Sequence, residues 1–276
     1  MLRPLALLRA TEQVAMPQST PSLPSLFPAP LHTAPRELLA GIRLLATDID
    51  GTMTHDGRLD PGILPALLRL ESVGIEVMPV TGRPAGEALG LARYLPTIRR
   101  AVAENGATLV SPDLPVRWLG QQPDRARLLE VAEQLGRAGR PWTLAPDAFC
   151  RLADIAWLRE DRTDAELEPL RALATAHGVH LIWSSVHIHL ADSPPDKGAA
   201  VQQIAAELGY AAHEIATIGD APNDVGLWRS GRFGLTVGTA QVLDQLEVLE
   251  YNPMWVTAHG AAGWLELANQ LCAARG

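Results

Sequence analysis

Short apolar runs alternate along this chain with segments that have helix start and stop signals. Residues 42–46 and 75–80 are apolar runs, and between them residues 60–74 have Asp-Pro at the start and Gly at the end of a helix. A further helix opens at Pro84, and residues 101–103 form a third run. Strands linked through crossover helices pair in parallel. The alternation predicts an α/β fold with a doubly wound, Rossmann-like parallel sheet.

The order of elements changes in the middle of the chain. Helical segments at 123–138 and 163–177 lie there among short paired strand patterns, which is typical of a small α+β layer. The strand and helix alternation then resumes. We therefore expect a catalytic core at 39–107 and 191–276, with residues 108–190 inserted as an α+β cap.

The first 38 residues have no helical or strand periodicity. Seven of the 22 prolines of the chain and few charged residues lie in the first 36 positions. Such a composition predicts a disordered tail over residues 1–38, with Met16 as an alternative start.

Charge, hydropathy and cysteine content argue against several kinds of partner and site. The net charge is −8 and there is no basic stripe, which argues against a nucleic-acid or anionic-membrane partner. No apolar run approaches 18 residues, which argues against a membrane span. The two cysteines, Cys150 and Cys272, lack a zinc-ligand spacing and are typical of a reducing compartment. We expect a cytoplasmic protein, and the sequence does not indicate how many subunits it forms.

Polar clusters lie where predicted strands end or predicted helices begin. They are Asp48-Ile49-Asp50-Gly51-Thr52, Thr81-Gly82-Arg83, Lys197, and Asp220 with Asn223 and Asp224. Carboxyl ends of parallel strands meet at one edge of an open sheet, so these clusters are expected to form one site. Several carboxylates gathered there need a divalent cation, and all-oxygen ligation points to Mg²⁺.

The chemistry of these groups suggests phosphoryl transfer. Asp48, at the strand end, is placed as the nucleophile, and Asp50 as the general acid and base. Thr81 and the Gly82 amide are expected to bind phosphate oxygens. Lys197, the only lysine of the chain, supplies a compact positive charge for the phosphoryl group.

The remaining candidates surround this centre. Asp220 is expected to bind the metal directly, with Asp224 beside it or just outside it. Asn223 is expected to orient ligands and to bind phosphate. Arg83 is either a substrate or phosphate contact or part of a surface ion pair. Asn105 is either a substrate contact or a tight-turn residue.

Four ordered motifs carry a resemblance to a known family. DIDGT at 48–52, VTGR at 80–83, DKG at 196–198 and GDAPND at 219–224 resemble the motifs of the haloacid dehalogenase-like phosphatases. The insertion resembles the type IIB cap of the Cof-like, sucrose-phosphatase-like and phosphoglycolate-phosphatase branch. The resemblance extends over about 42–272.

The resemblance implies roles for individual residues. It implies that Asp48 is the nucleophile and Asp50 the acid and base. It also implies that Mg²⁺ is held by Asp48, the Asp50 carbonyl and Asp220, with help from Asp224.

The expected function is that of a phosphoric monoester hydrolase. Its substrate would be a small phosphorylated metabolite, a sugar phosphate or related phosphomonoester, cleaved through an aspartyl-phosphate. A phosphomutase or phosphotransferase of the same fold is the first alternative, and a non-catalytic phosphometabolite-binding module is the second. His187 and His189 share one face of a predicted strand, where ordinary strand positions are favoured over a metal site.

Overall fold

The computed structural model describes residues 28–138, 140–184, 186–246 and 250–276, so residues 1–27 of the expected tail lie outside the described residues. The β-strands are β1 (Ala29–Pro30), β2 (Leu44–Thr47), β3 (Thr54–His55), β4 (Arg58–Leu59), β5 (Glu76–Pro79), β6 (Ala101–Ala103), β7 (Thr108–Ser111), β8 (Leu114–Trp118), β9 (Asp154–Leu158), β10 (His180–Trp183), β11 (His187–Ala191), β12 (Ile215–Gly219), β13 (Leu235–Gly238) and β14 (Trp255–Val256). The α-helices are α1 (Arg36–Gly41), α2 (Ile63–Ser72), α3 (Ala85–Tyr94), α4 (Arg125–Ala138), α5 (Asp164–Ala176), α6 (Lys197–Glu207), α7 (Val225–Trp228) and α8 (Gly260–Arg275). In the part of the chain so described, no helix has the length and apolar character needed to cross a membrane.

A parallel sheet forms the centre of the molecule, in the strand order β1-β14-β13-β12-β2-β5. Each neighbouring pair in it runs parallel. From β2 the chain continues to β5 on one side, whereas β12 on the other side comes from the second half of the chain. This change of direction opens a crevice at the carboxyl end of β2, where such sheets bind ligands. The predicted α/β fold with a parallel sheet is confirmed.

The side chains of β2 alternate between two apolar cores. Leu45 packs in one core with Leu67 of α2 and Trp264 of α8. Leu44 and Ala46 pack in the other, against α6 and α7. A strand buried on both faces has a continuous apolar sequence, which explains why this run is visible in the sequence.

A smaller antiparallel sheet, in the order β10-β11-β9, forms the inserted layer. Leu128 of α4 and Leu167 of α5 share a buried cluster with Leu181 and Ile188 of this sheet. The inserted layer is therefore of the expected α+β type. We call β9, β10 and β11 together with α4, α5 and their connections the cap.

Strands β7 and β8 form a sheet with β6 and not with β9, β10 or β11, so this pairing differs from the expected start of the insertion at residue 108. β7 pairs with β6, and Val102 of β6 forms a parallel bridge with Val80, directly after β5. Val110 of β7 is buried against Ala85 of α3. A hairpin strand has the same local pattern in a core as in a cap, so its pairing partner could not be deduced from the sequence.

Residues 28–38 are folded, which corrects the part of the expected tail that the structure describes. β1 pairs in parallel with β14 at the sheet edge, and Leu31 is fully buried in the core. α1 then packs against α8. Proline at Pro30 is compatible with this strand because an edge strand can lack a donor on its outer side.

We expect Leu31→Ala to lower the free energy of unfolding by about 2–5 kcal/mol, because it leaves a cavity in the core. Leu68→Ala is the matched control; Leu68 is 48% exposed, and its truncation should change stability by about 0.5 kcal/mol or less. Urea unfolding of both variants measures the difference. Equal stability of Leu31→Ala and the wild type would mean that this segment does not pack on the core.

Candidate active site

The carboxyl ends of three adjacent strands bring the predicted clusters together. Asp48 follows β2, Thr81 lies just beyond β5, and Asp220 follows β12. The backbone N–H of Asp48 donates to the Ile218 carbonyl at 2.9 Å, so β2 and β12 stay paired up to the site. Clusters that are far apart in sequence therefore form one site, as expected.

Lys197 joins two of these clusters at the first residue of α6. Its Nζ donates to Asp48 Oδ1 at 2.8 Å and to Asp224 Oδ1 at 2.7 Å, and its side chain is completely buried. Burial opposes the charge, but Asp224 and Asp48 together hold the pKa of Lys197 above its ordinary value. A buried ammonium is stable only with such partners.

Three buried carboxylates lie side by side in this site. One oxygen each of Asp48, Asp220 and Asp224 lies within 4.8 Å of the others. Asp224 is engaged on both oxygens, because its Oδ2 also accepts from the backbone N–H groups of Asp220 and Ala221. Thr52 Oγ1 donates to Asp220 Oδ1 at 2.9 Å. Within the described residues, Asp48 and Asp220 each keep an oxygen available for a ligand.

The electrostatics of the cluster favour a cation. Burial raises the pKa of Asp48 to about 7; Lys197 opposes this rise and Asp224 adds to it. Burial, followed by the charges of Asp48 and Asp224, raises the pKa of Asp220 well above its ordinary value. One ammonium does not balance three buried carboxylates. An oxygen-ligated divalent cation fits this donor set.

Asp50 lies two residues beyond Asp48 and is held by Arg83. Arg83 Nε and Nη2 donate to the two carboxylate oxygens of Asp50, both at 2.6 Å, and Nη1 donates to Glu87 at 3.0 Å. The hydrogen bond to Asp50 is the main cause that raises the pKa of Arg83 above its ordinary value. Arg83 therefore orients Asp50, and its contact with substrate stays a prediction.

The turn after β6 connects the loop after β5 with the loop after β12: the Asn105 backbone N–H donates to the Thr81 carbonyl at 3.0 Å, and the Asn105 side chain contacts Asn223. Thr81 is fully buried, and its Oγ1 accepts from the Arg83 backbone N–H at 3.0 Å. Asn223 Nδ2 donates to Asn105 Oδ1 at 3.1 Å, while Asn223 Oδ1 is buried without a partner among the described residues. Asn105 has a left-handed φ of 56°, as its Asn-Gly turn suggests. It holds Asn223, and its contact with substrate stays a prediction.

A small cavity of about 30 Å³ lies between these loops and the cap. Its core wall includes Asp48, Asp50, Gly82, Arg83 and Asn223, and its cap wall includes Ser184, Val186, His187 and His189. A cavity of this volume has room for about two water molecules. The cap thus covers the site closely.

Two residues that the sequence reasoning missed join the cap to the core. Glu104, which follows β6 with a left-handed φ of 51°, accepts from the backbone N–H groups of residues 152–154. Arg151 of the cap donates to the Gly82 carbonyl at 3.0 Å. The adjacent Asn-Gly turn was the only sequence signal near Glu104, and Arg151 had none.

The chain matches the family of haloacid dehalogenase-like hydrolases over residues 45–117 and 170–243, which is just over half of its length. This chain belongs to the haloacid dehalogenase-like hydrolases. Its matched regions contain Asp48, Asp50, Lys197 and Asp220. The resemblance carried by the four sequence motifs is thereby confirmed.

Curated relatives of this hydrolase are phosphatases. Phosphoglycolate phosphatase of Natronomonas pharaonis is 32% identical over 200 residues, covering 71% of this chain and 84% of the relative. Phosphoglycolate phosphatase of Pyrobaculum islandicum is 31% identical over 201 residues, covering 72% and 83%. The match thus extends over most of each relative.

Solved structures show the same fold. A Thermoplasma acidophilum protein superposes with a TM-score of 0.68 at 19% identity, over 83% of this chain and 98% of its own. Sucrose-phosphatase from Synechocystis, solved with sucrose and phosphate, has a TM-score of 0.59 at 17% identity, over 83% and 97%. At these identities the likeness concerns the fold alone.

Gly51 allows the turn after Asp50 to pass close to Asp220. It has a φ of +76°, and a Cβ there would lie 2.3 Å from Asp220 Oδ2. Gly57 has a similar φ of +72° with no atom within 4 Å of a Cβ. We expect Gly57→Ala to cost about 1–2 kcal/mol from backbone strain alone. Gly51→Ala should cost about 1–3 kcal/mol more, from the collision with Asp220.

The free energies of unfolding in urea measure this difference. Because both substitutions introduce the same methyl group in the same backbone region, the comparison isolates the contact with Asp220. Equal losses in the two variants would contradict the close packing of this turn.

Proposed function

We propose that this hydrolase is a magnesium-dependent phosphatase that cleaves a small phosphomonoester through a phosphorylated Asp48. The observation that carries the proposal is the position of Lys197 between Asp48 and Asp224. Asp50, held by Arg83, lines the same cavity as Asp48. A nucleophile, a second acid and a fixed cation are the groups that such a transfer needs.

In the first step, a carboxylate oxygen of Asp48 attacks phosphorus and the bond from phosphorus to the leaving oxygen breaks. Asp50 donates a proton to that oxygen, and the alcohol is released. Lys197 holds Asp48 in position and stabilises negative charge on the phosphoryl oxygens. The hydroxyl of Thr81 and the Gly82 amide are proposed to bind those oxygens from the neighbouring loop.

In the second step, water attacks phosphorus and Asp50 accepts its proton. The bond between phosphorus and the Asp48 oxygen breaks, which releases inorganic phosphate and regenerates the carboxylate. Arg83 supports both steps because it keeps Asp50 in one orientation. The small space between the core and the cap supports exclusion of other water during the first transfer.

Asp48, Asp220 and the Asp50 carbonyl are proposed to hold Mg²⁺, with Asp224 beside them and Asn223 orienting its ligands. When bound, Mg²⁺ would neutralise the carboxylates and the phosphoryl oxygens. The buried acidic cluster and the raised pKa values of Asp48 and Asp220 support this assignment. Asp224 is the least available of the acids because three donors already occupy its oxygens.

The cavity does not select between substrates by size. With room for about two water molecules it is too small for any phosphomonoester, so every substrate requires the cap to move away from the core. The names of the curated relatives make 2-phosphoglycolate the first substrate to test. A sugar phosphate, the sequence-based expectation, is the second substrate to test.

The proposed function also involves a division of the chain into a core and a cap. We propose that residues 124–190 form the cap and that the core includes residues 28–118 and 191–276. The pairing of β7 with β6 supports the later start of the cap.

A cytoplasmic location stays a prediction, based on the two free cysteines Cys150 and Cys272.

We expect Asp48→Asn to lower kcat for a generic aryl phosphate by roughly 1,000-fold or more, since the amide is not a nucleophile. Asp56→Asn, which changes an exposed carboxylate nearby, is the control and should keep normal turnover. Phosphate release in Mg²⁺ gives the rates, and circular dichroism checks the fold. Substantial turnover by folded Asp48→Asn would overturn the nucleophile assignment.

Turnover in ¹⁸O-labelled water distinguishes hydrolysis from the phosphotransferase alternative. Hydrolysis should place the label in inorganic phosphate, because water attacks phosphorus in the second step. Transfer of the phosphoryl group to another alcohol would leave phosphate unlabelled and would contradict the proposed reaction. Mass spectrometry of the released phosphate measures the outcome.

Binding of Mg²⁺ should raise the thermal stability of the protein. At a concentration of one hundred times Kd, the gain is about 2.7 kcal/mol, which corresponds to roughly 5–10 °C in Tm. Asp220→Asn should abolish the shift, whereas Asp113→Asn, at an exposed position, should retain it. An undiminished shift in Asp220→Asn would place the ion elsewhere.

A further inference from the structure

One buried carboxylate, that of Glu104, accepts hydrogen bonds from both the core and the cap. Its Oε1 accepts from the Ala85 backbone N–H of the core at 3.0 Å and from the Leu152 N–H of the cap at 2.9 Å. Its Oε2 accepts from the backbone N–H groups of Ala153 and Asp154 in the cap. These donors are all backbone amides, and Glu104 is only 3% exposed. Its side chain therefore ties the beginning of β9 to the core.

Glu104 also lies against the loop after β5, which is proposed to bind phosphate. The backbone N–H of Glu104 donates to the Arg83 carbonyl at 3.0 Å, and Arg151 of the cap donates to the Gly82 carbonyl at 3.0 Å. Glu104 and Asn105 have left-handed φ values of 51° and 56°. Residues other than glycine keep such values only where the surrounding structure holds them. The contact at Glu104 is thus continuous with the loop after β5.

The two linkers that join the cap to the core pass beside this contact. Residues of 119–123 and of 191–196 line a cavity of about 180 Å³ together with Glu104 and Asp154. A rigid domain that closes around a ligand turns about a few residues at its linkers. Atoms next to the linkers move least in such a rotation. The contact at Glu104 therefore lies where the motion of the cap is smallest.

Another part of the cap faces the core across a wide groove. This groove, of about 500 Å³, has Arg171 and Trp183 on its cap side and Arg229 and Tyr251 on its core side, and it reaches Asn223. The guanidinium of Arg171 lies over the ring of Trp183, and that of Arg229 lies over Tyr251. Each of these pairs belongs wholly to the cap or wholly to the core. Opening of the groove therefore breaks neither of them.

We propose that Glu104 is a positioning residue that keeps residues 151–154 of the cap on the core while the cap turns about this contact and opens at the groove between α5 and α7. The inference rests on the proposed phosphatase function, in which every substrate requires the cap to move. Separation at Glu104 would leave its buried carboxylate without donors and would break the contact of Arg151 with Gly82. Separation at the groove would do neither, so the loop after β5 keeps its shape through each turnover.

Hydrogen exchange tests the contact at Glu104 without an activity assay. In Glu104→Gln, one acceptor oxygen replaces two, so the amides of residues 152–154 should exchange about tenfold faster or more. Exchange in β12, at the centre of the sheet, should not change. Unchanged exchange at residues 152–154 would overturn the positioning role. Equal acceleration in β12 would overturn it too, because it would indicate a loss of global stability.

A disulfide between the core and the cap tests whether this contact stays closed during turnover. A Cβ at Gly86, in the first turn of α3, would lie 2.8 Å from the Cβ of Cys150, about 1 Å closer than in a relaxed disulfide. Gly86→Cys can therefore form the bond after a small shift. Gly90→Cys, further along α3, is the matched control because a Cβ there meets nothing within 4 Å outside its own helix. Peptide mass spectrometry identifies the bond.

Oxidised Gly86→Cys should keep kcat for p-nitrophenyl phosphate within about twofold of its reduced form, because the contact does not open. Glu104→Gln should lower kcat/KM roughly tenfold, since charge-assisted hydrogen bonds that hold the cap are lost. In Glu104→Gln combined with Gly86→Cys, oxidation should restore most of this loss, because the disulfide replaces the missing contact. In Glu104→Gln combined with Gly90→Cys, oxidation should change nothing.

Three outcomes overturn the proposal. Loss of turnover on oxidation of Gly86→Cys would mean that the cap must leave the core at this contact. Normal turnover by Glu104→Gln, or a loss that the disulfide does not restore, would mean that Glu104 does not act by holding residues 151–154. Absence of any phosphate release by wild-type protein would instead overturn the proposed phosphatase function, and the hydrogen-exchange result would still report on the contact.

Discussion

The buried ammonium of Lys197 is the interaction on which the arrangement of the site depends. Asp48 and Asp224 come from different halves of the chain, and Lys197 donates to both of them. Without this cation, the two carboxylates would be buried without a positively charged partner. Their burial would then lower the free energy of unfolding by about 3–5 kcal/mol. A guanidinium would need more space and present its donors in a fork, whereas the ammonium is a compact charge that fits between two oxygens. Its pairing thus links α6 to the ends of β2 and β12.

The sheet order places these groups, and the number of acids then dictates what the site can bind. Because β2 lies between β5 and β12, three polar loops meet at one edge of the sheet. The buried carboxylates there exceed the positive charge of Lys197, which favours a divalent cation. A phosphoryl group bound in the same place brings its own negative charge, so cation and phosphate are expected to bind more strongly together than separately.

Much of the core and its site could be predicted because their signals are local. A strand buried on both faces has a continuous apolar run, and polar groups at its end stand out from that run. By contrast, Leu31 is buried through a two-residue edge strand that pairs with β14, far away in sequence. The sequence also gives no sign of the contacts of Glu104 with the cap or of Arg151 with Gly82, because the partners in these contacts are backbone groups, which any residue offers. His189 looked like an ordinary strand residue until the neighbouring strand placed Asp154 beside it.

The same contacts that escape sequence reasoning explain how the cap and the core act together. Gly82 is shared between them: its amide belongs to the loop proposed to bind phosphate, and its carbonyl accepts from Arg151 of the cap. Arg151 also holds Asp154, which holds His189 at the cavity. A shift of this part of the cap would therefore disturb the phosphate loop. One buried guanidinium thus connects the loop after β5 with the cap side of the cavity.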